Sequence, residues 1–115
     1  MASSQLPHPL LPLNIGESHY ARHIVRSNHA QSIIDFRTIS LEEPPKSKLQ
    51  PFLELENNGL LSPNTPRPAR VARVTYDVID SDKVAKYYET LVDIRKGKAI
   101  SNEIVEKPAH AALTL

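Results

Sequence analysis

Apolar and polar residues along this 115-residue chain alternate with two different periods, and the periods assign its elements. Leu13, Tyr20, Ala21, Ile24 and Val25 fall on one face at helical spacing, with His19, Arg22, His23 and Arg26 opposite. Asn14, followed three residues on by Glu17, has the form of a capping box, so a helix is predicted over 14–27. Arg26 and His29 stand at its C-terminal end, where the helix dipole favours positive charge. Residues 32–41 carry Ile33, Ile34, Phe36, Thr38, Ile39 and Leu41 without a helical stripe, which reads as a strand stopped by Pro44-Pro45. Residues 46–56 space Leu49, Phe52, Leu53 and Leu55 as a short helix opened by prolines and kinked at Pro51.

The second half keeps a period of two. Ala72, Val74, Tyr76 and Val78 alternate with Val71, Arg73, Thr75 and Asp77, predicting a strand over 70–79. After a turn at Asp80–Lys83, residues 86–94 set Tyr88, Thr90, Val92 and Ile94 against Tyr87, Glu89, Leu91 and Asp93. Gly97 permits another turn, and 99–105 reads as a last strand. The order is helix, strand, helix, then a meander: an α+β layout with one main helix on a short antiparallel sheet and a second short helix. A proline-rich arm over 1–13 precedes a single domain over 14–115.

Composition narrows the function classes. Fourteen basic and thirteen acidic residues leave a net charge of +1, which argues against a nucleic-acid binder. Without cysteine there is no disulfide framework, thiolate metal site or cysteine nucleophile. The opening MASSQLPHPLLPL has no basic residue ahead of its apolar ones, and three prolines break it, so no secretory leader is expected there. No apolar run approaches a membrane span, and the final HAALTL lacks a Ser-Lys-Leu peroxisomal address. The expected setting is the cytoplasm.

Chemistry is sparse. His19 and His23 have a metal-holding spacing, but Tyr20 stands where the zinc motif needs Glu, and two histidines on a solvated helix face are the plainer reading. Three glycines, at 16, 59 and 97, make no phosphate loop. Acid–base potential on the sheet remains. Glu89 and Asp93 share a strand face, with Arg37 and Arg73 on neighbouring strands, while Tyr76 and Tyr88 point to the other side. Alternating charges of this kind most often mark a face turned to solvent.

Several segments together resemble the N-terminal region of copper amine oxidases. They are PHPLLPL at Pro7–Leu13, HIVRS at His23–Ser27 and FRTISLEEPPK at Phe36–Lys46, followed by PRPARVARVTYD at Pro66–Asp77 and YYETLVDIRKGKAI at Tyr87–Ile100. The resemblance runs from about residue 7 to 110 and implies a cystatin-like α+β fold. It implies no amine oxidation, because the family's copper ligands and quinone-forming tyrosine belong to a larger domain. Neither the His-x-His copper pair nor the Asn-Tyr-Asp/Glu quinone motif occurs here, since Tyr76 follows Thr75 and Tyr88 follows Tyr87.

Such a domain standing alone has two readings. In one it is a cofactor-free protein that binds a small molecule, a tailoring enzyme of fungal secondary metabolism performing cyclisation or isomerisation. Glu89 or Asp93 is then the base, Tyr88 or Tyr76 the proton donor, and Arg37 or Arg73 the holder of a developing oxyanion, with no metal. The tyrosines and carboxylates can line one pocket only if a bulge shifts the register. Should all four prove dispensable, His19, His23 and His8 come next. In the other reading the chain is a non-catalytic interaction module or the remnant of an oxidase. A homodimer is expected from its exposed strand edges.

Overall fold

The computed structural model describes residues 8–81 and 83–105. Helix α1 (Ile15–Asn28) opens with a complete capping box. The Asn14 side chain accepts from the Glu17 N–H at 2.7 Å, and the Asn14 N–H donates to Glu17 Oε1 at 3.1 Å. Strand β1 (Ile33–Glu42) follows, then α2 (Lys46–Asn57), β2 (Val71–Ile79), β3 (Ala85–Asp93) and β4 (Lys98–Ile104). All four strands form one antiparallel sheet in the order β1-β2-β3-β4. The α+β expectation holds, each element falling within a residue or so of its predicted bounds.

The predicted two-residue alternation sets the layers. Ala72, Val74, Tyr76 and Val78 are buried and face α1, whose Ala21 and Val25 are fully buried against them. Across the ladder Tyr88 lies opposite Tyr76, Thr90 opposite Val74 and Val92 opposite Ala72, so β3 gives the same face to the core. Tyr20, assigned to the apolar face of α1, is 41% exposed instead. Its hydroxyl lies close over Gly97, which turns the chain from β3 into β4 at φ +68°. A Cβ at position 97 would collide with that oxygen.

Pro51 does not break α2, which runs unbroken from Lys46 to Asn57. A proline in the second turn forfeits one ladder hydrogen bond, and the helix continues because its anchor lies further along. That anchor is Phe52, 1% exposed. Its ring lies between the edge-on ring of His8 (centroids 5.6 Å apart) and the Arg67 guanidinium at 4.9 Å. His8 also accepts the Leu10 N–H on Nδ1 at 3.1 Å, so Nε2 carries the proton and donates to Glu56 at 3.0 Å. Contact between α2 and the sheet or α1 is only marginal.

The described part of the proline arm is fastened rather than extended. Arg70, 7% exposed just ahead of β2, donates from Nη1 to the carbonyls of His8 (2.7 Å) and Leu11 (3.0 Å). From Nη2 it donates to the Pro12 carbonyl at 3.2 Å and to Glu17 Oε1 at 2.7 Å, and from Nε to Glu17 Oε2 at 2.8 Å. One guanidinium thereby joins the arm, the first turn of α1 and the start of the central strand. Residues 8–12 are thereby tied to α1 and β2; residues 1–7 of the predicted arm and 106–115 of the predicted domain lie outside the described residues.

Candidate functional site

The register of β2 with β3 runs without a shift from Val71↔Asp93 to Ile79↔Ala85. Shifts occur elsewhere, between Phe36 and Thr38 where β1 meets β2, and between Leu91 and Val92 where β3 meets β4. Tyr76 and Tyr88 therefore stay on the helix side, with Glu89 and Arg73 on the other face. The bulge that would bring the two sets into one pocket is absent from this ladder, and the structure does not unite them.

On the outer face the charged residues neutralise one another. Arg73 donates from Nε to Glu42 Oε1 at 2.9 Å and from Nη1 to Glu89 Oε2. Arg37, looped out at the β1 bulge, donates to Asp77 Oδ2 at 2.8 Å and lies 5.5 Å from the Tyr87 ring. Hydrogen bonding to Asp77 and to Glu42 raises the pKa of Arg37 and Arg73 respectively. These side chains remain 49% and 43% exposed, so the pairs are screened by water and contribute little to stability. Glu89 sits against the Arg73 guanidinium rather than in an apolar pocket.

Asp93 lies apart from Glu89, roughly 13 Å along the strand at 3.3 Å per residue. It is 6% exposed, and its Oδ1 accepts the Lys96 N–H at 3.0 Å while its carbonyl accepts the Gly97 N–H at 2.8 Å. Those bonds close the β3–β4 turn. His19 and His23 stay exposed on α1, and among the described residues no three acidic or histidine side chains converge as metal ligands do.

Under the end of α1 lies a polar cluster that the sequence reading did not assemble. Tyr76 and Tyr88 stack at 5.6 Å with planes 5° apart, and the His29 ring stands edge-on to both. Asn102 Oδ1 accepts from Thr90 Oγ1 at 2.8 Å. Thr90 in turn accepts from the Tyr76 hydroxyl at 2.6 Å, and that oxygen accepts from His29 Nε2 at 3.2 Å. Burial pushes the Tyr76 hydroxyl pKa up, and burial lowers that of His29 against the opposing pull of Asp80. Chemically the chain could relay a proton. Tyr76, however, is 1% exposed, so no substrate reaches its hydroxyl, and the exposed end is Asn102, which does not titrate. His29 and Asn102 are reached only through contacts 47 and 26 residues from Tyr76, and local spacing gives no signal for them.

The neutral state of His29 has a consequence for pH. The unfolded chain takes up a proton near the ordinary histidine value of 6.5, while the folded chain resists it, so stability falls as pH drops below that value. Glu17 has its pKa lowered chiefly by the hydrogen bond from Arg70, and its contribution is lost at lower pH, from 4.5 downward. Thermal melts between pH 8 and 3 should show both declines. His29→Gln should remove the upper one and leave the lower, and an unchanged upper slope in that variant would refute the assignment.

Elsewhere, on the outer face, lies a groove of about 660 Å³. Val71, Leu91 and Ile100 form its floor, and Pro44, Pro45 and Pro68 are among its walls. It adjoins a basin of about 330 Å³ lined by Arg67, Ala69, Asp93, Arg95 and Lys96, with Arg67 and Ala69 common to both.

Comparison with known proteins places this geometry. Residues 8–105 match the family model described as the copper amine oxidase N2 domain. Copper amine oxidase 1 of Aspergillus niger is 44% identical over 110 residues, which is 96% of this chain and 16% of that one. The chain therefore spans about one-sixth of the length of this relative. The crystal structure of a copper-containing benzylamine oxidase from Hansenula polymorpha superposes with a TM-score of 0.72 at 24% identity, over 88% of this chain and 15% of that one. That likeness concerns the fold. With the family model covering all six elements, the chain belongs to the copper amine oxidase N2 domain family.

Proposed function

We propose that this chain acts as a non-catalytic docking domain of the copper amine oxidase type, packing against an oxidase body through the outer face of its sheet. One observation carries the reading. The helix-side face is closed by α1, whereas the opposite face holds a sizeable groove with an apolar floor that the described residues leave open. The relative from Aspergillus niger, six times as long, supplies a body of the kind such a face would meet.

The alternative is acid–base catalysis on a small molecule by Glu89, Asp93, Tyr76 and Tyr88, as in a cyclase or isomerase. The His29–Tyr76–Thr90–Asn102 relay is the observation in its favour. Docking is better supported, because the Tyr76 hydroxyl at the centre of the relay is buried and each carboxylate already has a partner.

A segment exchange tests the proposal. The matching stretch of the Aspergillus niger oxidase is replaced by this chain, and amine oxidation is compared with the parent enzyme and with a form in which the stretch is deleted. The exchange should restore soluble enzyme to within a few-fold of parental activity. An exchange no better than the deletion would overturn the proposal.

A further inference from the structure

We infer that Asn58–Gly59 is a self-modification site, an asparagine that deamidates through a cyclic imide, and that the folded end of α2 holds it shut. The pair lies exposed where α2 stops, with Asn58 as the C-cap. Glycine obstructs ring closure least, since it has no side chain. Beyond its chain neighbours, nothing stands within 4 Å of where a Cβ on Gly59 would be.

The reaction needs no partner but water. As its proton leaves to solvent, the Gly59 nitrogen attacks Asn58 Cγ. The new C–N bond forms, the bond from Cγ to the side-chain nitrogen breaks, and ammonia departs. Water then opens the imide at one of its two carbonyls. One opening gives aspartate; the other gives isoaspartate, whose main chain runs through the former side chain and is one carbon longer. Neither step calls for an oxidant or a reductant.

Two features of the α2 terminus oppose the attack. Gly59, at φ +69°, donates its N–H to the Glu56 carbonyl at 3.1 Å, and Leu60 donates to the Leu55 carbonyl at 2.8 Å. These are the paired bonds of a Schellman cap, and they commit the attacking nitrogen to the helix. Asn58 also holds ψ at 4°, which sets the Gly59 nitrogen about a third of a turn round the Cα–C bond from Cβ. A five-membered imide needs that nitrogen on the Cβ side. The cap must therefore open before the ring can close. Helix α2, anchored by Phe52 and barely touching the sheet, is an element able to open locally.

Refolding would not undo the change. Isoaspartate moves Gly59 and Leu60 away from their two carbonyls by an extra carbon. Either product adds a carboxylate at the negative end of the helix dipole, just past Glu54 and Glu56. Deamidation would thus record the opening of α2 and disfavour its return.

Peptide mass spectrometry of the 115-residue chain, aged in mildly alkaline buffer, tests the inference. Phe52→Ala should convert Asn58 about tenfold faster than the parent chain, or more, while β2 keeps its amide protection. Should that variant unfold throughout, low urea on the parent serves instead: conversion should rise in step with exchange of the Gly59 N–H. Asn57 and Asn64, followed by Asn58 and Thr65, should keep their amides over the same interval. Equal rates in the parent and in the opened chain would overturn the gating by α2, and an Asn58 that stays intact in the opened chain would overturn the site itself.

Discussion

Replacing Arg70 with alanine should destabilise the domain more than any other single polar substitution, by about 3–5 kcal/mol. The guanidinium is buried and donates five hydrogen bonds, to three arm carbonyls and both oxygens of Glu17. Truncation leaves the Glu17 carboxylate, 12% exposed, without its counter-charge and deprives the three carbonyls of their donor. For a chain of this size the melting temperature should fall by roughly 10 °C or more. The acid limb assigned to Glu17 should also shift, because its pKa is lowered mainly by Arg70. Glu17→Gln should cost less, since the amide keeps an acceptor for the arginine and the cap. Urea melts of the two variants give the comparison; an Arg70→Ala midpoint equal to the parent's would show that the clamp contributes nothing.

The second large effect is expected at Phe52, and it should be local. A buried phenylalanine cut to alanine usually costs about 3–5 kcal/mol. Here the ring joins α2 to His8 and Arg67, and α2 barely touches the sheet. Phe52→Ala should therefore release α2 and leave the β2–β3 ladder folded. Amide exchange reads the difference: protection should collapse over Lys46–Asn57 and persist over Val71–Ile79. Uniform loss of protection in every element would mean that α2 belongs to the cooperative core.

Much of the fold could be read from local pattern because local pattern produces it. Asn14 and Glu17 sit three residues apart and make the capping box that their spacing announces. The alternation from Ala72 to Val78 is the buried face of a strand covered on one side only. The helix around Pro51 was legible, but not its anchor Phe52, whose partners His8 and Arg67 lie far off in sequence. The candidate residues divide in the same way. Arg73 with Glu89 and Tyr76 with Tyr88 are cross-strand neighbours, legible once the meander is drawn. The groove was not legible: its lining comes from three stretches, 42–48, 67–71 and 91–100, brought together only by folding. Arg70 carries no signal either, for its five acceptors lie 53 to 62 residues away.

The claim that the outer sheet face is this domain's working surface is tested most directly by its footprint. Hydrogen exchange of the chain is measured alone and with the Aspergillus niger oxidase that lacks the matching stretch. Added protection is expected over 42–48, 67–71 and 91–100, with α1 unchanged. Protection confined to Ile15–Asn28, or none in any segment, would contradict the account.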